Sequence, residues 1–197
     1  MKPLLLIGCG GHARSLIDLI ETIGLWNIHG LVGQPEDIGK EILGYSVVGT
    51  DAQLGDLRQQ CDSAVLAVGQ LPHPTTRQRL ASLLHKLSFQ TPAIISLKAH
   101  VSRHALVGYG TVVHHGAIVN AGAVVGAHCI LNSQALIEHD VHIGDHCHIS
   151  TGALINGEVS IGNGSFIGSG AMLREGLSIP SNSVVSAGKR VMGWPLL

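Results

Sequence analysis

The sequence has no excess of charge. Its 197 residues hold 12 Lys and Arg against 13 Asp and Glu, a formal net charge of −1 with a pI near 6.9, so no basic field recruits nucleic acid or an anionic membrane. No run of 18 or more apolar residues exists to span a bilayer, and the mean hydropathy of +0.34 reflects an interior rich in Ala, Val and Ile. The four cysteines, Cys9, Cys61, Cys129 and Cys147, lack zinc-type spacing and read as reduced thiols, with Cys129 and Cys147 as small apolar filler. Before the first glycines there is no room for a signal-type apolar core, so a cytoplasmic protein is expected. The length suits one large or two small domains with real cores.

What the chain does have is a repeat. From Ile95 to Val191 every sixth residue is aliphatic. If about a third of positions are Ile, Leu or Val, such a run has a chance likelihood on the order of one in a hundred million. Two residues before most of these positions stands something small, such as Ala117, Ala123, Cys129 or Ala135. A six-residue period fits neither a helix nor a hairpin array and matches a hexapeptide parallel β-helix. Val107-Gly108, Val125-Gly126, Ile143-Gly144 and Ile161-Gly162 recur every 18 residues, followed by Ile179-Pro180. Three hexapeptides therefore make one coil, and one corner is expected to use the backbone freedom of Gly or the rigidity of Pro.

The first 92 residues read differently. An apolar strand at 4–7 runs into Gly8-Cys9-Gly10-Gly11, and Ala13, Leu16, Ile17 and Ile20 follow at helical spacing. Strands are expected near Ile28–Val32, Tyr45–Val48 and Ser63–Val68. Thr50 with Gln53 reads as a capping box, and Leu80, Leu83, Leu84 and Leu87 mark a last helix. Alternating strands and helices predict a Rossmann-like α/β domain over 1–92, followed by an all-β parallel β-helix over 93–197.

Gly8-x-Gly10-x-x-Ala13 fits the fingerprint in which glycines let a backbone approach a diphosphate at a helix N-terminus. The carboxylate that should hold a ribose at the end of the second strand is missing, since Leu31-Val32-Gly33-Gln34 stands there and the first acid is Glu36. NAD is therefore disfavoured and another nucleotide-linked ligand is expected, the alternative being a glycine turn that only packs helix on strand. His12, at the mouth of the helix, is placed to donate to a phosphate or sugar oxygen.

Nine of the thirteen histidines lie between His100 and His148. Zinc or iron wants three or four converging ligands, whereas a coil spreads His142, His146 and His148 around a corner and a face, so no metal is expected. His128 and His146, one coil apart, should stack as a solvated outward ladder. Glu138-His139-Asp140 is the better chemical candidate, because a neighbouring carboxylate orients a histidine and makes it more basic, as a general base must be. Alone, such a triplet is usually a polar turn.

Gly-x-Gly-Gly-His at the N-terminus joined to a hexapeptide domain resembles the sugar acetyltransferases of the sialic acid O-acetyltransferase type, including the bacillosamine-pathway enzymes that act on UDP-4-amino sugars. The resemblance implies a left-handed coil and acetyl-CoA as co-substrate. Ile137-Glu138-His139-Asp140-x-x-Ile143-Gly144 is similar to the family's catalytic stretch, which makes His139 the general base with Glu138 as its partner. It further implies that His148, Ser169 and Ala187 line the CoA site and that the Gly157 amide meets the thioester oxyanion. Gly10, Gly11, His12, Gly69 and Asn132 take the sugar or sugar-nucleotide side.

The sequence departs from the family at Gly33-Gln34, where an acidic pair is usual, at Gly69-Gln70-Leu71-Pro72-His73, and at the ending Gly193-Trp194-Pro195-Leu196. At that end Lys189, Arg190 and Trp194 are read either as contacts for the adenosine diphosphate of CoA or as an exposed charged end. His139 and His148 stand nine residues apart, half a coil, so they face opposite sides of one prism. A site using both must lie between chains, and a homotrimer is the closed ring that the resemblance implies. The expected function is acetyl transfer to a sugar amine or hydroxyl in surface glycan synthesis. The competing readings are a non-catalytic sugar-nucleotide-binding or assembly subunit on the same scaffold and, last, a hexapeptide metalloenzyme.

Overall fold

The computed structural model describes residues 1–195; Leu196, which closes the C-terminal motif, lies outside them. The chain divides into two compact units, Met1–Gly69 with Thr75–Pro92, and Gln70–Pro74 with Ala93 onward.

The first unit is built on a five-stranded sheet of β1 (Lys2–Ile7), β2 (Trp26–Gly33), β3 (Glu41–Ile42), β4 (Tyr45–Thr50) and β5 (Ala64–Leu66), in the order β3-β4-β2-β1-β5. All pairings are parallel except the short β3–β4 hairpin. Leu4 to Ile7 are buried, as a strand covered on both faces must be. Helix α1 (Gly11–Ile23) buries Ala13, Leu16, Ile17, Leu19 and Ile20. It ends at Gly24, where φ of 66° lets the N–H reach the Ile20 carbonyl at 3.1 Å. The Thr50–Gln53 capping box forms at the head of a 3-10 turn that leads into α2 (Leu54–Leu57). Helix α3 (Thr75–Lys86) carries the buried Arg77, whose Nη1 donates to the Val68 carbonyl at 2.6 Å.

The second unit is a left-handed parallel β-helix of two-residue strands forming three faces. The first face runs from His100–Val101 to Arg190–Val191, the second from Leu106–Val107 to Ser178–Ile179, and the third from Ile94–Ile95 to Val184–Val185. Each strand pairs in parallel with those 18 residues before and after it, for example Leu136 with Ile118 and Leu154. The six-spaced aliphatics fill the interior with the small residues between them, so that Val119, Ala135, Ile137, Ala153 and Ile155 are fully buried. Trp194 packs against this core where the coils end. It closes the apolar end that a solenoid otherwise leaves open.

Two expectations about the corners need correction. Gly108 and Gly126 do not supply backbone freedom, since their φ is not positive. They supply clearance: a Cβ on Gly108 would lie 2.6 Å from the Gly126 carbonyl carbon, and one on Gly126 would lie 2.7 Å from Asp145 N. Positive φ falls instead three residues after the aliphatic, at every sixth residue from Gly110 to Gly188, with values of 54° to 76°. His128, Gln134, Asp140, His146, Glu158 and Asn182 occupy this left-handed turn despite their side chains.

Cys129 and Cys147 are likewise more than filler. Their Sγ atoms donate to the carbonyls of Gly144 at 3.1 Å and Gly162 at 3.2 Å, as Thr111 Oγ1 does to Gly126 at 2.8 Å and Ser165 Oγ to Pro180 at 3.1 Å. One column of small donors thus ties each coil to the next. Gly126→Ala should push neighbouring coils apart and cost about 1–3 kcal/mol, read as a lower midpoint in chemical denaturation; an unchanged midpoint would show that the coils can spread freely.

Candidate functional site

In the first unit a cleft of about 380 Å³ opens along the ends of β1 and β2, lined by Gly8, Cys9, Gly10, Gly33, Gln34, Asp37, Asp51, Thr76 and Arg79 among others. Gly10 caps α1 without any side-chain hydrogen bond, and the first turn holds no acid. The helix therefore begins with backbone N–H groups suited to an anion. His12 sits in that turn beside Gly69, where a Cβ would lie 3.7 Å from the His12 Cβ. No acid stands at the end of β2 itself, but one reaches the cleft from further along the chain. The Pro35–Asp37 3-10 turn brings Asp37 onto the cleft, where Oδ2 accepts from Cys9 Sγ at 3.3 Å and Oδ1 meets Lys40 Nζ at 2.8 Å. Asp37 is not among the residues expected from spacing, although Gln34-Pro35-x-Asp37 carries the proline and acid of an N-terminal cap.

In the second unit the candidate residues form two groups. Glu138, His139 and Gly157 share the corner between the first and second faces. The His139 ring lies across Gly157, one coil on, where a Cβ would meet Nε2 and Cε1 at 2.7 Å. Its Nδ1 is 2.9 Å from Asp140 Oδ2. The carboxylate on the imidazole is therefore Asp140, held in the left-handed turn at φ 58°. Glu138 turns to accept from Asn120 Nδ2 at 2.9 Å and from the His139 N–H at 3.4 Å. The Asp140 hydrogen bond raises the His139 pKa above its ordinary value; desolvation opposes it, and the negative charges of Asp140, Glu138 and Glu158 add to the rise. With Nδ1–H donated to Asp140, the Nε2 lone pair is left to accept a proton.

Asn132, His148, Ser169 and Ala187 belong to the third face and the corner that follows it. His148 is buried: Nδ1 donates to the Gln70 carbonyl at 3.0 Å, Asn132 Nδ2 stands 3.5 Å from Nε2, and Phe166 meets the ring edge-on at 5.2 Å. Ser169 Oγ pairs with Ser150 Oγ at 2.9 Å, while Ala187 is exposed. Nearby, burial together with the like charges of His115 and His148 pushes His114 down to about 4. In a three-sided prism the His139 corner stands opposite the third face that carries His148, so one prism does not bring the two groups together.

His128 and His146 do stack, with centroids 5.3 Å apart and planes 8° apart, but the ladder is not solvated. His128 is only 6% exposed and Tyr109 packs edge-on against it. Among the described residues no group of three or more His, Cys, Asp or Glu could hold a metal ion, and no helix is long and apolar enough to cross a membrane. Asp140→Asn should lower the His139 pKa toward that of an ordinary histidine, whereas Glu138→Gln should move it less. NMR titration of the imidazole Cε1–H reads both, and an equal response would remove Asp140 from its place beside the ring.

The geometry agrees with what the chain is similar to. The PglD N-terminal domain family matches residues 3–84, the bacterial transferase hexapeptide family (six repeats) residues 122–157, and the hexapeptide repeat of succinyl-transferase residues 158–190. The acetyltransferase domain of PglB from Neisseria gonorrhoeae, solved in complex with acetyl coenzyme A, is 31% identical with a TM-score of 0.86, covering 95% of this chain and 89% of that one. PerB from Caulobacter crescentus, in complex with CoA and GDP-perosamine, is 29% identical with a TM-score of 0.89, covering 98% and 91%. WeeI from Acinetobacter baumannii, at 20% identity and a TM-score of 0.75 over 95% of each chain, shares the fold. No curated protein matches the chain. With both domain types in order and near-complete coverage of a relative above 30% identity, the chain belongs to the acetyl-CoA-dependent hexapeptide-repeat sugar acetyltransferases that carry a PglD N-terminal domain.

Proposed function

We propose that the protein transfers acetyl from acetyl-CoA to an amine of a nucleotide-activated amino sugar, with His139 as general base. The observation that carries this reading is the His139 imidazole bonded to Asp140 at 2.9 Å and lying across Gly157. The cleft at the glycine loop and the similarity to a perosamine N-acetyltransferase solved with GDP-perosamine support the nucleotide-linked acceptor.

The acceptor nitrogen attacks the thioester carbonyl carbon while its proton passes to His139 Nε2. The developing oxyanion takes a hydrogen bond from the Gly157 N–H. The tetrahedral adduct then collapses, the C–S bond breaks, and the imidazolium returns the proton to the CoA thiolate. No acyl-enzyme forms, so the four cysteines stay outside the chemistry. Asn132 positions the sugar, and His148, Ser169 and Ala187 line the path of CoA.

Because the His139 corner and the His148 face are on opposite sides of one prism, each site combines His139 of one subunit with the CoA-lining face of the next. A homotrimer closes such an arrangement. The outward residues of the first face, Ile118, Leu136, Leu154 and Met172, form a partly exposed apolar stripe that suits subunit contact. The protein works in the cytoplasm, where acetyl-CoA and nucleotide sugars are made, and supplies surface glycan synthesis.

His139→Ala should lower turnover by roughly 10²-fold or more and leave acetyl-CoA binding by calorimetry unchanged; full activity in that variant would end the proposal. The base must be neutral to act, so the rate should rise with pH through the elevated His139 pKa, and Asp140→Asn should move that limb to lower pH. Mixing His139→Ala with His148→Ala chains, each inactive alone, should restore activity by forming sites with both native histidines. No recovery after confirmed subunit exchange would place each site within one chain.

A further inference from the structure

We propose that Asp37 reads the ribose 2′-hydroxyl of the acceptor's nucleotide, so that the protein takes ribonucleotide-linked sugars and discriminates against deoxythymidine-linked ones. This inference rests on the nucleotide-sugar reading above and narrows it.

Where a glycine-loop sheet binds a nucleotide, the carboxylate that accepts ribose hydroxyls stands at the end of the second strand. Here that strand ends at Gly33, followed by Gln34. The loss of the acid is coupled to a rearrangement that replaces it. The chain turns back at once through Pro35–Asp37, with the Asp37 N–H donating to the Gln34 carbonyl at 2.9 Å and the Gln34 N–H donating to Asp37 Oδ2 at 3.1 Å. The turn lays the Asp37 side chain over the strand end. Gly33 makes this possible, since a Cβ there would lie 2.9 Å from Cys9 Sγ and 3.0 Å from Asp37 Cβ. A side chain at the usual acid position would press on Cys9 Sγ and Asp37 Cβ together and shift the contact between them.

The carboxylate is fixed and charged. Lys40 Nζ holds Oδ1 at 2.8 Å, and Cys9 Sγ and the Gln34 N–H hold Oδ2. A carboxylate offers roughly four acceptor sites, so one remains for a hydroxyl in the cleft that Asp37 lines. The Lys40 hydrogen bond, with those from Gln34 and Cys9, holds the Asp37 pKa below its usual value, which keeps the group a pure acceptor at neutral pH.

Position selects ribose over base. Asp37 touches Cys9, which lies between Gly8 and Gly10 of the loop at the start of α1. A diphosphate seated at that helix start carries its ribose next to it and its base one unit further off. The other carboxylate on the cleft, Asp51, follows β4 and pairs with Arg79 at 2.7 Å, whereas Asp37 is the acid bonded to the glycine loop itself, through Cys9.

Calorimetry on the full-length protein with UDP and GDP against dUDP and dGDP tests the assignment. The native protein should bind each ribonucleotide roughly tenfold or more tighter than its 2′-deoxy counterpart, as expected for a hydrogen bond to a charged group. Asp37→Asn, which keeps the volume and the acceptor for the Gln34 N–H, should reduce that ratio toward one while leaving acetyl-CoA binding unchanged. Gly33→Ala should do the same by displacing an intact Asp37, and it serves if Asp37→Asn is poorly folded. Equal binding of ribo and deoxy forms by the native protein, or a full preference retained in both variants, would overturn the assignment and leave the nucleotide-sugar reading in place. Failure of every nucleoside diphosphate to bind the native protein at millimolar concentration would remove both.

Discussion

In the second unit each short strand is hydrogen-bonded only to the strands one coil before and one coil after it. Two residues per face are too few to make a stable sheet by themselves, so order on any face depends on the register of the whole stack. That register fixes columns of residues 18 apart, and each column must solve the same local problem at every level. The inward column is aliphatic. The column at 108, 126, 144 and 162 has to be glycine because the next coil's backbone occupies the space of a Cβ. The column of Thr111, Cys129, Cys147 and Ser165 has to be small and able to donate, because it faces a carbonyl of the coil above.

The proposed base depends on the same stacking through neighbouring columns. His139 rests on Gly157, and Glu138 is tied to Asn120, so the residues immediately below and above are what hold the corner in place. Asp140 reaches the imidazole from a backbone conformation that disfavours most side chains, and its energetic cost is met by the hydrogen bonds of the stack around it. The first unit contributes a different kind of order. There a conventional parallel sheet offers a helix start free of competing acids, and a capped 3-10 turn supplies the negative group.

Much of this was legible from residue spacing. The sixfold aliphatic period defined the β-helix, the 18-residue glycine period defined its coil, and Thr50 with Gln53 marked a cap that forms. The grouping of His139 and His148 on opposed sides followed from counting residues around a coil. What spacing could not give was backbone conformation and rotamer. The left-handed turn at every sixth residue is hidden because glycine alternates there with His, Gln, Asp, Glu and Asn, so composition carries no period. Glu138 and Asp140 flank His139 equally in sequence, and only the direction of their side chains separates them. His128 reads as an exposed corner residue, yet its neighbours cover it. Asp37 carries no positional signal in the sequence, because it lies in the turn folded over the strand end and not at that end itself.

The placement of His139 on Gly157 has one more consequence. The backbones of His139, the proposed base, and Gly157, the proposed oxyanion donor, stand one coil apart, a rise set by strand pairing throughout the stack and about 4.8 Å in any sheet. The reacting centre therefore has a gauge that is not its own. Small adjustments to the corner can turn the ring, but they cannot alter the spacing of the two backbones without changing the pitch of the whole column. Enzymes with this scaffold are thus free to vary the acceptor they admit while the vertical spacing of their chemistry stays quantised.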